Sequence, residues 1–405
     1  MAWTDRYVDA TAAGGGTGTS AADPWTIYEA ASNSSAGMRI NIKAGTYALT
    51  TGFNFSTSGS SAQPIWLRGY KDAIGDLDLK SIGSLVDGVD LPLISSSANM
   101  IFDGDRVHLS SISMNRSGNA PTVYHRGFYN WWKNVRLKQS SYTTNVMVNN
   151  NNRGYHTYVG CDFQCAANRT SHFWSEINQY FVNFYSCIFQ STVTNTVGAT
   201  WSAVNCGRAF TFNNCIFKNL PVGMYATTYN PHVVNCTFVD IEDDAIRVGN
   251  QNNAGAFLNN YFSNVGGYAI GNTTGTQGLF YIDNNVYQNC GGELENITEN
   301  LQFASATDAA DEFTDSSNGD YSLKSSSSGY AKGRTESAGG WWGIGSTDYS
   351  DIGAVQHQDP VGGGGGGSGS SSNTAGTQVY PFRQWVEDDF GGGASGGGSV
   401  FHPLG

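Results

Sequence analysis

The stretch that decides the fold runs from residue 186 to residue 238 and contains three near-copies of one short pattern: Ser186-Cys-Ile-Phe189, Asn214-Cys-Ile-Phe217 and Asn235-Cys-Thr-Phe238. Gly160-Cys-Asp-Phe163 precedes them with the same pattern. In each copy the cysteine and the phenylalanine are two residues apart, so both side chains point to the same face of an extended chain. One short strand cannot bury that face by itself. The pattern therefore predicts that successive copies stack on one another.

The repeat extends in both directions. Asn259-Asn-Tyr-Phe262 and Asn284-Asn-Val-Tyr287 follow it, while Ser111-Ile-Ser-Met114 and Asn134-Val-Arg-Leu137 precede it with aliphatic residues. The second position of each copy falls at residues 112, 135, 161, 187, 215, 236, 260 and 285. This period is shorter than that of helix-pair repeats, about 34 residues, or propeller blades, about 40 residues. We predict an all-β, right-handed parallel β-helix (a solenoid) with coils of about 21–28 residues, followed by an extended Gly-rich C-terminal tail.

The cysteines of the repeat are expected to belong to the buried column. Free cysteine is among the most buried residue types, and these thiols lack the His or Cys-x-x-Cys spacing of a zinc site. A metal ladder or a set of disulfides is the alternative. Asn260 and Asn285 take the cysteine position in the last two copies, where stacked amides would bond to one another.

The composition agrees with this fold class and disfavours others. Charged residues make up 13% of the 405 residues, hydrophobic residues 39%, and 52 residues are glycine. These values differ from those of a helical bundle and are too apolar for a disordered chain. The net charge of -12 opposes binding to nucleic-acid phosphates. No apolar run reaches the length of about 18 residues that spans a membrane, so we expect neither a nucleic acid nor a membrane as partner.

Segments near both ends resemble a known group of proteins. They comprise residues 7–20, Ile42-Lys-Ala-Gly-Thr-Tyr47 and Pro64-Ile-Trp-Leu-Arg-Gly-Tyr70, together with Asp320-Tyr-Ser-Leu-Lys324 and Asp351-Ile-Gly-Ala-Val-Gln356. They resemble the opening and closing segments of right-handed parallel β-helix proteins of the polysaccharide-lyase type, a type also found in bacteriophage virion and tailspike proteins. The group contains lyases, hydrolases and inert virion proteins, so the resemblance implies a fold and leaves the function open.

The resemblance, which covers about residues 3–358, and the change of composition after it divide the chain into four segments. We expect residues 1–70 to form an N-terminal cap and the first coils of the β-helix. Residues 71–300 are expected to form the central coils and residues 301–360 the closing segment. Residues 361–405 are expected to form a Gly/Ser-rich tail that carries aromatic anchor peptides.

A lyase site is incomplete in this sequence. Similar lyases remove a proton with a Lys base beside an Arg on an adjacent coil, often with calcium. The comparable stretch here is Asp244-Ala-Ile-Arg-Val-Gly-Asn250, in which Val248-Gly249 stands where Lys-Ser is expected. One coil later, Tyr268-Ala-Ile-Gly-Asn272 lacks the Arg-His-Gly sequence of such enzymes. Arg247 alone is expected to be an outward cation over the neighbouring coil.

A hydrolase site is also incomplete. Glu242-Asp243-Asp244 resembles the paired-Asp element of polygalacturonases, but the coils before and after it lack further carboxylates and a Gly-His-Gly sequence. The weak candidates for catalysis are Asp243, Asp244 and Arg247. Glu242, Asp243 and Asp244 are weak candidates for calcium, because hard oxygen ligands cluster there. The interpretation we favour is a solvated acidic turn with no catalytic role and no cofactor.

Isolated histidines and tryptophans complete the set of candidate residues. The histidines lack a nucleophile partner and are expected to be wall or loop residues: His125, His156, His172 and His232. The tryptophans are expected either to stack on sugar rings or to fill loops or a subunit interface: Trp131, Trp132, Trp174 and Trp201.

The C-terminal tail alternates spacers with aromatic peptides. Residues 362–376 and 391–399 are Gly/Ser-rich, whereas residues 379–390 and 400–405 are rich in aromatic residues. Exposed aromatic side chains cost free energy, so the two peptides are expected to order on a partner surface. The anchor residues are Tyr380, Pro381, Phe382, Trp385, Phe390 and Phe401. The alternative is that the tail folds back on its own rod.

Together these features predict a non-enzymatic bacteriophage virion protein, either a capsid decoration protein or a short spike. The tail would attach it to capsid or other virion proteins, and the resemblance implies a homotrimer. The chain starts without a secretory signal, and its seven cysteines, an odd number, indicate reduced thiols, so we expect assembly in a host cytoplasm and location in the virion. The alternative is a tailspike-type polysaccharide lyase or glycosidase that binds or cleaves host surface glycans.

Overall fold

A computed structural model confirms the predicted stacking of the repeat. It describes residues 3–117, 123–140, 148–149, 155–165, 174–176, 182–191, 202–206, 210–226, 231–249, 254–272, 279–297, 306–308, 313–315, 320–327 and 353. Residue 112 pairs with 135, and the pairs 136–162, 162–188, 188–216, 216–237, 237–261 and 261–286 carry the same register along the chain. The eight repeat positions therefore lie one above another in a parallel β-helix.

Three parallel ladders of strands run along the β-helix. Ladder A contains β1 (Thr4–Val8), β2 (Met38–Lys43), β5 (Ile65–Tyr70), the first halves of β8 (Val107–Arg116) and β10 (Trp131–Gln139), β12 (His156–Val159), β15 (Val182–Tyr185), β18 (Phe210–Asn213), β21 (Pro231–Val234), β24 (Ala254–Leu258) and β26 (Leu279–Asp283). Ladder B contains β3 (Gly45–Leu49), β6 (Pro92–Ser96), the second halves of β8 and β10, β13 (Asp162–Cys165), β16 (Ile188–Ser191), β19 (Ile216–Leu220), β22 (Thr237–Ile241), the first halves of β25 (Tyr261–Asn272) and β27 (Val286–Glu295), and β28 (Ala306–Asp308). Ladder C contains β4 (Phe53–Phe55), β7 (Met100–Phe102), β9 (Val123–His125), β11 (Val148–Asn149), β14 (Trp174–Glu176), β17 (Ser202–Cys206), β20 (Val222–Ala226), β23 (Ile246–Val248) and the second halves of β25 and β27.

Aromatic side chains stack inside the helix along its axis. The phenylalanine position of the repeat forms a column whose neighbouring ring centroids are 4.5–5.5 Å apart: Phe163, Phe189, Phe217, Phe238, Phe262 and Tyr287. A second column on ladder A joins Tyr158, Phe184 and Phe212 with spacings of 4.9 Å. These spacings match the distance between paired strands, about 4.8 Å, so each turn places one ring on the ring of the turn before.

The corners between ladders A and B use residues that tolerate a left-handed backbone. A residue with positive φ precedes the inward repeat position in every copy: Ser111, Asn134, Gly160, Ser186, Asn214, Asn235, Asn259 and Asn284. Glycine adopts this conformation without strain, and asparagine is enriched there among the other residue types. This explains why Asn precedes the inward position in five of the eight copies of the pattern.

The inward corner position changes from thiol to amide towards the C-terminal end. Cys161, Cys187, Cys215 and Cys236 are buried free thiols. The Cys236 N–H donates to the side-chain oxygen of Asn260 (2.9 Å), and the Asn260 amide donates to the side-chain oxygen of Asn285 (3.0 Å). The predicted ladder of self-satisfied amides is therefore present where the thiol column ends.

Additional segments cover one end and one side of the β-helix. Helix α1 (Ile27–Asn33) begins with a capping box at Thr26 and buries Ile27 and Ala30 in the core. On the outer face of ladder B, the antiparallel pair β29 (Phe313–Asp315) and β30 (Asp320–Leu323) covers apolar side chains of later turns. The 71–91 loop, which contains a short 3-10 helix at Ile82–Ser84, covers earlier turns of that face. The described part of the chain has no helix long and apolar enough to cross a membrane.

The tail anchors lie outside the described residues. These are Tyr380, Pro381, Phe382, Trp385, Phe390 and Phe401. His172 and Trp201 also lie outside the described part of the chain.

We predict that the axial ring column contributes strongly to stability. Phe189 is fully buried between Phe163 (4.7 Å) and Phe217 (4.9 Å), so Phe189→Ala removes ring contacts on both sides and leaves a cavity. We expect a loss of about 3–5 kcal/mol, measured as a shift of the chemical denaturation midpoint. Phe189→Leu, which keeps much of the apolar volume, should lose less. Equal midpoints for the alanine variant and the wild type would contradict a packed column.

Candidate functional site

The acidic turn before β23 is closed by an arginine of the same coil. The Arg247 guanidinium donates to Asp244 (2.9 Å) and to Asp243 (2.6 Å). The second Asp244 oxygen accepts the Tyr268 N–H of the next coil (2.9 Å). Arg247 therefore folds back onto its own turn, and both carboxylates that the sequence offered for catalysis are bound to one cation.

Burial and charge define what this turn can do chemically. Asp244 is 5% exposed, whereas the Asp243 side chain is about half exposed. Burial acts to lower the pKa of Arg247, but hydrogen bonds and charge from Asp244 and Asp243 outweigh it and raise that pKa above its usual value. The pairing holds the turn in place. Within the described residues, no group of three or more His, Cys, Asp or Glu side chains is arranged to hold a metal ion.

A second buried carboxylate lies on the outer face of ladder B. Asp162 accepts from Arg136 (3.2 Å), Gln164 (2.6 Å) and Gln190 (2.9 Å). Burial raises the pKa of Asp162, and these donors offset part of that effect. Arg136 also donates to the carbonyl oxygens of Ile82 (2.5 Å) and Leu85 (2.9 Å), which ties the 71–91 loop to the β-helix. This cluster could not be recognised in the sequence, because its members are up to about a hundred residues apart in the chain and meet only in the folded structure.

Two of the candidate histidines are core residues. His125 and His156 are fully buried, with ring centroids 4.1 Å apart. The Asn130 side-chain oxygen accepts from Val107 N–H (2.8 Å), so its amide nitrogen faces His125 Nε2 (2.8 Å) and must donate to it. His125 Nδ1 then carries the proton and donates to the Tyr158 hydroxyl (2.8 Å). This network requires a neutral His125 and serves the core.

Two of the candidate tryptophans lie on opposite faces of the same strand, one inside the β-helix and one outside. Trp132 is fully buried and stacks on His125 at 4.3 Å, so the expectation that it lies on the surface or in a loop is wrong. Trp131 points outward from ladder A, is partly exposed and meets the His108 ring at 6.0 Å. The alternation of a β-strand explains the difference, because consecutive residues face opposite sides. Trp174 lies in β14 of ladder C.

An exposed aromatic stack borders Trp131. Arg106, Tyr129 and Tyr155 occupy successive turns at the entrance to ladder A; the Arg106 guanidinium lies 4.5 Å from the Tyr129 ring centroid. The two tyrosine rings stack at 4.9 Å with an interplanar angle of 15°. Tyr129 is 47% exposed and Tyr155 41%. This arrangement presents ring surface, hydroxyls and a cation to solvent.

The backbone of this stack is strained. Arg106, Tyr129 and Tyr155 have φ values of 52°, 58° and 67°. Bulky residues rarely adopt the left-handed region, and such strain clusters at functional sites. Sequence reasoning missed the stack because the three residues follow loops of different lengths and share no motif. Their spacing of 23 and 26 residues, which lies within the repeat period, is the signal that could have revealed it.

Comparisons with known proteins agree with the fold. No family model and no curated protein matches the sequence. Among solved structures, pectate lyase Pel9A is similar over 86% of this chain and 95% of its own, with a TM-score of 0.50 and 14% identity. A rhamnogalacturonan lyase is similar over 75% of this chain and 84% of its own, with a TM-score of 0.45 and 12% identity. ORF18 of Geobacillus virus E2 is similar over 74% of this chain and 61% of its own, with a TM-score of 0.44 and 16% identity. At these identities, the likeness to pectate lyase Pel9A shows a parallel β-helix of the polysaccharide-lyase type and nothing about activity.

We predict that the buried histidine network makes the protein sensitive to acid. Burial, and secondarily His156, hold the pKa of His125 well below its usual value. Below the unfolded-state pKa of about 6.5, the unfolded chain binds a proton at this histidine and the folded chain does not. The free energy of unfolding therefore decreases by up to about 1.4 kcal/mol for each pH unit by which the pH is lowered. Above that pH the effect vanishes. Denaturation midpoints measured from neutral pH downward check this, and His125→Gln should flatten the slope; an unchanged slope would contradict it.

Proposed function

We propose that this chain is a non-enzymatic structural protein of a bacteriophage virion, in which the β-helix is displayed outward and the C-terminal tail anchors it to capsid or other virion proteins. We favour a capsid decoration protein or a short spike, and we expect three copies of the chain to stand side by side. The protein works as a rod on a tether and performs no chemistry on its partner.

One observation carries the non-enzymatic part of the proposal. Arg247 binds both Asp243 and Asp244 within their own turn, so neither carboxylate stands ready as a free acid or base beside a substrate groove. Hydrolysis of a glycosidic bond requires one protonated and one ionised carboxyl at a defined separation. Two aspartates bound to the same guanidinium favour a structural turn. The other buried candidates support the same interpretation, because Asp162 and His125 are engaged in bonds that join parts of the fold.

The chemistry of the thiols and of the tail supports the virion part. Four cysteines of the described residues are buried free thiols, a state typical of proteins that fold in a reducing cytoplasm: Cys161, Cys187, Cys215 and Cys236. The tail joins aromatic peptides by Gly/Ser spacers, which gives anchors a wide reach and adds avidity when several copies act together.

Deletion of residues 362–405 should abolish attachment to virions while leaving the rod folded. Particles that lack the protein are mixed with full-length or truncated chain and sedimented, and the bound protein is measured. A second variant keeps the tail length and replaces its aromatic anchor residues by Ser: Tyr380, Phe382, Trp385, Phe390 and Phe401. It should bind as poorly as the truncated chain, which would show that the aromatic side chains and not the length of the tail make the attachment. Retained binding of the truncated chain would refute the anchoring role. Release of unsaturated or hydrolysed oligosaccharides from acidic polysaccharides by the full-length chain would refute the non-enzymatic role.

Glycan binding without cleavage is a second candidate function, favoured by the exposed stack of Arg106, Tyr129 and Tyr155. A sugar ring packs its C–H face on an aromatic ring, while its hydroxyls bond to polar groups at the ring edge, such as a guanidinium. The tyrosines already stack on each other, so little side-chain freedom remains to be lost on binding. On this proposal the rod contacts a host surface glycan along ladder A.

Substitution of both tyrosines by asparagine tests this candidate. Asparagine keeps the left-handed backbone that these positions need, so Tyr129→Asn/Tyr155→Asn should fold at least as stably as the wild type. Its affinity for purified host surface polysaccharide, measured by calorimetry, should fall at least about tenfold. Tyr268→Asn, at an exposed tyrosine elsewhere, is the control and should bind normally. Equal affinities for all three proteins would argue against the stack as a glycan site.

A further inference from the structure

The 71–91 loop exposes an aliphatic surface on the side of the β-helix. It connects β5 to β6 and has its own small core of Leu77, Ile82, Leu85 and Leu91. All the exposed large aliphatic side chains of the described residues lie in this loop, which we call the aliphatic loop: Ile74 (37% exposed), Leu79 (76%), Val86 (56%) and Val89 (60%). Single exposed apolar residues are common, but four in one short segment mark an interaction surface.

The aliphatic loop is held rigidly although its tips face solvent. Arg136, with a side chain 8% exposed, binds two loop carbonyls and pairs with Asp87 at 2.7 Å. Asp78 pairs with Arg68 on β5, and Asp90 pairs with Lys71 at 2.8 Å. These ion pairs hold the loop on the strands beneath it, and the Arg68 and Arg136 side chains that anchor them are nearly buried. A prearranged surface loses less conformational freedom when it binds.

The charges of the aliphatic loop are matched locally. The loop contains five aspartates in an acidic chain of net charge -12. Five cations face them: Lys71 and Lys80 within the loop, and Arg68, Arg136 and Lys138 on the strands beneath it. Asp162 shares Arg136 with the loop, so six carboxyl groups (five in the loop and Asp162) face five cations, and the charges of this region nearly balance, whereas the chain as a whole carries -12.

We infer that the aliphatic loop is the contact through which copies of this chain associate. Copies with a net charge of -12 repel one another, so they associate most readily through a surface on which positive and negative charges nearly balance. The aliphatic loop is such a surface. Interfaces between identical subunits are more apolar than other interfaces, and the exposed residues of the loop are aliphatic. The loop lies at one level of the rod, so parallel copies would bring the same surface to one axis and form a closed ring. The inference deepens the proposed function by naming the surface that joins its copies.

The mass of the full-length chain in solution tests this inference. Sedimentation velocity and native mass spectrometry over a wide concentration range should find the wild type as a multimer, with three copies expected. Leu79→Asp/Val89→Asp should raise the dissociation constant by at least about a hundredfold, because it places charge on two exposed aliphatic positions. Tyr268→Asp, at an exposed site outside the loop, is the matched control and should associate like the wild type.

Hydrogen exchange gives a second readout that does not depend on a variant. Amides of residues 71–91 in the wild type should become better protected as the concentration rises.

Three outcomes would overturn the inference. The wild type could stay monomeric at all concentrations, or the double variant could fold and associate normally. A monomeric wild type that captures another protein through the loop would overturn it as well. None of these outcomes depends on particle binding or on polysaccharide products, which decide the proposed function separately.

Discussion

The hydrogen bonding of each turn to the turn before it is the constraint on which the rest of this structure depends. Parallel pairing sets the axial repeat at about 4.8 Å, and every inward side chain must then fit the side chain one turn away. Flat rings meet this condition well, as Phe163, Phe189 and Phe217 do at 4.7 and 4.9 Å. Thiols and amides meet it at the corner. Coils of different lengths all meet it, as the 28 residues from Cys187 to Cys215 and the 21 residues from Cys215 to Cys236 do, because the strands keep their register.

The same constraint explains where the chain carries unusual groups. Inward positions are filled by columns that serve packing, so even His125 and His156 are used as flat rings of the core. Outward positions escape the stacking requirement and are free to carry charge. There the ion pairs of Arg247 close its own turn, and those of Arg136 join a loop to the strands beneath it. The exposed tyrosines line up because the register places them above one another.

The two surfaces that carry our proposals share one physical feature: each is exposed yet fixed. The stack of Tyr129 and Tyr155 is fixed by the sheet beneath it at the cost of a strained backbone. The aliphatic loop is fixed by ion pairs with Arg68 and Arg136. Groups that are both solvent-facing and rigid bind partners with little loss of conformational freedom, which is why these surfaces, and not the acidic turn at Asp243 and Asp244, are the places to look for partners.

The amino-acid sequence alone determined the β-helix, the register of its eight repeat positions and the change from thiol to amide in the corner column. It could do so because an inward side chain must satisfy the same neighbours in every turn, which leaves a periodic trace. Outward positions are under no such requirement, and apart from the spacing of residues 106, 129 and 155 their contacts leave no periodic trace. Which cation pairs with Asp244, which face Trp132 occupies, and how residues 82 and 136 come together were decided by the tertiary structure, since local sequence does not specify the paths of the loops and turns that make these contacts.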